Sequence, residues 1–122
     1  MQWNWIDQND PLFEATQCAF TVSDATYVDE AYEFVFTNLG MQSLQFTGGD
    51  KQAGAQKRQY LVMPNFLSSS ATSLEKFKKQ CEKVTQTLPS IGAKVHMDFL
   101  HPEHVEEGKR CPVPIFILQW ND

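Results

Sequence analysis

Imidazoles, thiols and carboxylates are the side chains of this 122-residue sequence with the widest chemical reach, and their densest group is His101-Pro102-Glu103-His104-Val105-Glu106-Glu107. Cys111 follows just beyond it, and His96 and Asp98 come shortly before. Neutral imidazole, carboxylate and thiolate are the ligands that zinc and similar metals take, and a loop after a strand can bring them together. His101, His104, Cys111 and Glu103 are therefore the candidate metal ligands. An H-x-x-H spacing beside one cysteine lacks the paired C-x-x-C or H-E-x-x-H pattern that specifies a zinc site. An acidic, solvated connection in which a histidine supports the turn accounts for the same residues.

A nucleophilic cysteine needs its pKa lowered by a nearby base or cation, and Cys111 with His101 or His104 is the pairing close in sequence. Lys109 and Arg110 precede Cys111 and favour thiolate. Pro112 and Pro114 would stiffen its surroundings, yet they equally suit the start of a strand. Cys81 falls on an apolar helix stripe and Cys18 on the inward side of a strand, so both read as core packing. His96 and Asp98 share the outward side of a strand, where exposed polar pairs are ordinary and an acid–base dyad is the rarer alternative. The loop 47–54 holds Gly48, Gly49, Lys51 and Gly54. It does not read G-x-x-x-x-G-K-S/T and opens no helix, so a flexible hairpin explains it better than a phosphate cradle.

Positioning these groups requires strands and helices that the hydrophobic periodicity outlines. Residues 16–22 alternate Cys18, Phe20 and Val22 with polar or small residues, the period of a half-buried strand. Thr26 and Asp29 form a capping-box pattern before Tyr27, Val28, Ala31, Phe34, Val35 and Leu39, which recur at helical spacing until Gly40 supplies a stop. Residues 41–46 then read as a short strand, and 47–57 as a loop. Residues 58–63 (R-Q-Y-L-V-M) turn continuously apolar, as a strand buried on both faces does, and Pro64 ends it. Thr72 and Glu75 cap a second helix carried by Leu74, Phe77, Cys81, Val84 and Leu88. Residues 93–100 alternate Val95, Met97 and Phe99 against Lys94, His96 and Asp98, and residues 113–120 close the pattern as a β-rich apolar run.

Read in order, this is β-α-β-β-α-β plus a C-terminal strand: an α+β, ferredoxin-like split-βαβ sandwich. Right-handed crossovers place both helices on one face of a mostly antiparallel sheet, with the strands around Cys18 and Tyr60 central. The opposite face is expected to be open. One domain over residues 12–122 follows an N-terminal arm, residues 1–11, whose Trp3 and Trp5 are costly to leave in water.

Ten Lys plus Arg against fifteen Asp plus Glu leave a formal charge of −5, which opposes the counterion-release attraction behind nucleic-acid binding. The local basic cluster Lys76, Lys78, Lys79 and Lys83 is interrupted by Glu75 and Glu82 and reads as a solvated helix face. No apolar run reaches the length that spans a bilayer, and no basic-then-apolar leader opens the sequence. Three widely spaced cysteines suit reduced thiols. The expectation is a soluble protein of the cytoplasm or an organelle matrix, without membrane insertion, nucleic acid or cofactor.

Four short signatures occur in sequence: Val22-Ser23-Asp24-Ala25-Thr26, Leu61-Val62-Met63-Pro64, Phe99-Leu100-His101-Pro102 and Arg110-Cys111-Pro112-Val113-Pro114. Together they resemble an uncharacterised bacterial and plant family, a domain of unknown function. Its members carry V-S-D-A-T, S-F-H-P and R-S/A-P-Y/F-P-x-x-H-L-L signatures. The resemblance spans most of residues 22–118 and implies the same fold. This chain has Phe116 or Ile117 where the family has its last histidine, and only Gln17-Cys18-Ala19-Phe20 stands near the family's N-terminal cysteine segment. If the family uses that cysteine and histidine, the departures turn the reading from enzyme towards binding.

The leading expectation is a non-enzymatic interaction or assembly module that docks on another protein, or on a second copy, through the open sheet face and Trp3, Trp5 and Trp120, with His96 and Asp98 on that face. The alternative is a small enzyme or metal protein centred on His101, His104 and Cys111. A small-ligand binder with a pocket between helices and sheet is a third option.

Overall fold

A computed structural model describes residues 18–47, 58–88 and 95–120 of the chain. The elements are β1 (Cys18–Val22), α1 (Val28–Thr47), β2 (Arg58–Val62), α2 (Ala71–Gln86), β3 (Val95–Leu100), a 3-10 turn (Glu107–Lys109) and β4 (Ile115–Trp120). The four strands form one mixed sheet in the order β1-β2-β4-β3. β1 runs parallel to β2, while β4 is antiparallel to both β2 and β3.

Each helix begins where a side chain accepts from backbone amides at the helix entrance. At α1 the acid is Glu30, not the expected Asp29. Its carboxylate accepts from the amides of Thr26 and Tyr27 at 3.1 and 3.0 Å, and those bonds, Tyr27 first, hold it below the usual carboxylate range. At α2 the cap is Ser70, two residues before the expected Thr72, with its Oγ accepting from the Ser73 amide at 3.2 Å.

Ala31, Val35 and Leu39 of α1 and Leu74, Phe77 and Cys81 of α2 are buried. They share one core cluster with Leu61, Met97, Phe99, Phe116, Leu118 and Trp120, which alternate along the strands. Both helices therefore lie on one face of the sheet, as expected. The α2 stripe drifts at its end: Thr85 is buried, while Val84 and Leu88 are exposed. The Thr85 hydroxyl satisfies itself by donating to the Cys81 carbonyl at 2.7 Å.

Three expectations are corrected. Residues 41–46 are helical, because α1 runs through Gly40 to Thr47. A glycine inside a helix costs only about 1 kcal/mol, and Met41, Gln42, Leu44 and Gln45 are good helix formers, so the expected stop is overridden. The described order is thus β-α-β-α-β-β. The first strand is also not central: β1 is an end strand of the described sheet, and β2 and β4 are the inner pair. Its β1 and β2 are direct neighbours, whereas a split unit would hold another strand between them. Two helices on one side of a four-stranded mixed open sheet remain compatible with the ferredoxin-like class.

The third correction concerns the face opposite the helices. Tyr60, Val62, Leu100, Cys111, Ile115 and Ile117 form a second buried cluster there, with half-buried Phe20 and Val113 against it. Among the described residues that face is open towards His96, which is exposed, and Asp98, which is half-buried, and at the end of β1, where Val22 is exposed. Trp3, Trp5, the arm 1–11 and the glycine loop 48–54 lie outside the described residues. Among the described residues no helix is long and apolar enough to cross a membrane.

Candidate functional site

The β3–β4 connection, residues 101–114, holds the polar residues singled out above, and the alternation of β3 decides where they go. Val95, Met97 and Phe99 face the helices, so His101, continuing the alternation, turns the same way. His101 is fully buried. Its Nε2 lies 2.7 Å from the Leu67 carbonyl, and its Nδ1 accepts from the Glu103 amide at 3.0 Å. A carbonyl only accepts, so Nε2 carries the proton and the ring is held as one neutral tautomer. Both nitrogens are thereby used.

Leu67 is the described non-glycine residue with positive φ, at 51°. A left-handed backbone at a leucine costs about 1–2 kcal/mol, and the bond from His101 holds that carbonyl in place. Nothing in the sequence singles out Leu67; the strain exists only once residue 101 reaches across from the next connection.

His104, three residues on, repeats the bond to the amide two residues ahead. Its Nδ1 accepts from the Glu106 amide at 2.9 Å, and its ring packs on Phe99 with centroids 4.6 Å apart. Arg110 Nε donates to the His104 carbonyl at 2.8 Å. Lys109 reaches back to Asp98 at 2.7 Å and to Glu106 at 3.5 Å, and Asp98 also accepts from the Phe99 amide at 2.8 Å. Asp98 therefore pairs with Lys109, and the acid–base dyad with His96, the rarer of the two readings, does not form. Lys109, which entered the sequence reading only as a neighbour of Cys111, is the residue that ties the connection to β3.

Cys111 sits on the other side of the sheet, in the second cluster with Tyr60, Val62 and Ile117. The sheet separates it from both histidines, which removes the thiol–imidazole pairing. Burial pushes the Cys111 thiol above its ordinary value, outweighing the backbone bond at Val113 that lowers it. Burial drives Cys81 up to about 12. Neither thiol is tuned as a nucleophile, which needs the opposite shift. Among the described residues no group of three or more His, Cys, Asp or Glu side chains could hold a metal ion, so the set His101, His104, Cys111 and Glu103 does not converge. The cleft beside His104, lined by Thr72, Glu75, Glu103 and Val105, measures about 70 Å³. That is room for a few waters, well short of a pocket for an organic substrate.

His104 makes the connection sensitive to acid. Its pKa lies below the ordinary value, first because of burial and then because of the Lys109 charge, with Glu106, Asp98 and Glu75 opposing. A group whose folded pKa is depressed this way keeps its neutral form in the fold and takes its proton first in the unfolded chain. Its contribution is complete above about pH 6.5, the ordinary histidine value, and is lost as pH falls through that value towards the folded pKa. Thermal midpoints measured from pH 7.5 to 5 should fall, and His104→Asn should flatten that slope; an unchanged slope would place the sensitive group elsewhere.

Trp120, expected to be an exposed anchor, is buried in the helix-side core. No family model, no curated protein and no solved structure matches this chain.

Proposed function

We propose that this domain is a non-enzymatic interaction or assembly module of the cytoplasm or an organelle matrix. The observation that carries the reading is the apolar surface of the helix layer. Tyr27, just before α1, and Val28, its first residue, are 70% and 49% exposed, and Val84 in the last turn of α2 and Leu88 just beyond it are 43% and 40% exposed. Between the helices runs a groove of about 360 Å³ lined by Val28, Tyr32, Leu67, Phe77, Lys76 and Gln80. Apolar and aromatic side chains with a polar fringe are the composition of a docking surface. Trp3 and Trp5 would add anchors from the arm, and the ferredoxin-like arrangement suits the role because, among the described residues, the outward ridges of both helices are exposed.

The chemistry-bearing residues support the same reading from the other side. His101 and His104 spend ring nitrogens on backbone groups, and the Cys111 thiol is buried and raised. Untagged protein should contain no stoichiometric zinc by elemental analysis. Alkylation of Cys111, followed by peptide mass spectrometry across pH 6–10, should stay slow and rise only in alkali. Stoichiometric zinc, or a Cys111 that reacts as thiolate at neutral pH, would overturn this proposal in favour of the rival enzyme or metal protein.

A further inference from the structure

The two helices carry opposite charges on their outward ridges. On α1, Asp29 and Glu33 are exposed and stand one turn apart. On α2, Lys76, Lys79 and Lys83 are exposed and recur at three- and four-residue spacing. None of these five forms an ion pair among the described residues, whereas Lys78 on the flank of α2 pairs with Glu82 at 3.9 Å. A chain of net charge −5 has thus set three of its lysines in one stripe, on the helix beside the one that carries Asp29 and Glu33.

The groove between the ridges shows how the helices are aligned. β1, β2 and β3 all run in one direction, so the helices that connect them, α1 and α2, both run the other way and parallel to each other. Val28 and Tyr32 of α1 line the groove with Ser73, Phe77 and Gln80 of α2, and the Tyr32 and Phe77 rings lie 4.8 Å apart, so their first turns are level. Asp29 and Glu33 are therefore at the height of Lys76 and Lys79.

We propose that the helix layer is a self-complementary surface whose partner is a second copy of this chain. The two-fold axis lies along the groove. A half-turn about that line sets the second copy's α2 over α1 and its α1 over α2, parallel and in register. Asp29 and Glu33 of each copy then meet Lys76 and Lys79 of the other, twice over, as an isologous interface requires. Exposed Val28 and half-buried Tyr32 of both copies then face one another across the axis, above a floor that includes the buried Phe77, giving an apolar centre and a charged rim. Stacking the copies with α1 on α1 would instead oppose like charges, so the pattern selects one orientation.

The 16 residues of α2 span about 24 Å, and two neighbouring helices span about 20 Å across. The contact is therefore of order 500 Å² per copy, at the low end of specific interfaces, and self-association is expected in the range of about 1–100 μM.

This inference rests on the interaction-module reading, and charge reversal tests it separately. Sedimentation equilibrium of the full chain should show a monomer–dimer equilibrium weakened by raising salt from about 0.05 to 0.5 M. K76E/K79E and D29K/E33K should each weaken self-association at least thirtyfold while leaving the circular dichroism spectrum and thermal midpoint near those of the native chain. An equimolar mixture of the two variants should pair again, because one copy is then acidic on both ridges and the other basic on both. A native chain that stays monomeric at about 500 μM, reversals that leave the mass unchanged, or a mixture that fails to pair would each overturn the self-pairing. With zinc-free protein and an unreactive Cys111 the module reading would survive that failure, whereas stoichiometric zinc would overturn the module reading itself.

Discussion

Phe77→Ala should lower the free energy of unfolding by about 4 kcal/mol, the largest loss expected of a single truncation in this domain. Phe77 is buried at the centre of an aromatic group. Its ring lies 4.8 Å from Tyr32, 4.9 Å from Phe66 and 5.6 Å from Phe116, the last two edge to face. Those contacts join α1, the loop before α2, and the inner strand β4 through one side chain. Alanine removes the ring and leaves a void that a close-packed interior refills only in part. A domain of this size is stable by about 5–15 kcal/mol, so urea unfolding at neutral pH should show a large fall in midpoint with the slope unchanged. A loss under about 1.5 kcal/mol would mean that the helices do not meet the sheet through this ring.

His101→Ala comes next, with an expected loss of about 3 kcal/mol. The substitution leaves the Leu67 carbonyl and the Glu103 amide without their partner, each a penalty of about 1–3 kcal/mol where water does not reach. It also empties the space of a fully buried ring. His101→Phe separates the two effects: it restores volume but neither bond, and should recover only part of the loss. Amide hydrogen exchange should locate the damage in residues 64–70 and 101–110 together, since His101 is the bond between them. If His101→Phe were as stable as the native chain, the imidazole would be acting as packing alone.

Both predictions bear on the proposed docking role, because Phe77 and Leu67 line the groove between the helices. His101, the most conspicuous candidate for chemistry in the sequence, acts on that groove at a distance: it holds the left-handed turn that sets Leu67 in the groove wall. The polar connection and the apolar surface are in this way parts of one structure.

Some of this was legible in the residues. The alternation of Val95, Met97 and Phe99 against His96 and Asp98 placed β3 and both of its faces correctly, because a strand has period two whatever surrounds it. The stripe Leu74, Phe77 and Cys81 defined α2 for the same kind of reason. Residues 58–63 read as a strand buried on both sides, and β2, Arg58–Val62, is buried along its whole length. The failures came where local signals compete. Gly40 and the short run after it suit a helix stop and a strand, but helix propensity in residues 41–47 outweighs one exposed glycine, and with that strand gone the order of elements changed.

Local periodicity, then, determined on its own which residues face inward along each strand and helix, since those periods belong to the backbone. Tertiary structure decided which elements are neighbours. It put His101 and His104 on one side of the sheet and Cys111 on the other, buried Trp120 in the core, covered the inner strands on the face expected to be open, and set an acidic ridge level with a basic one. None of these follows from spacing along the chain, because each depends on strand order and on what packs across the sheet, and those are settled only when distant segments compete to bury the same apolar surface.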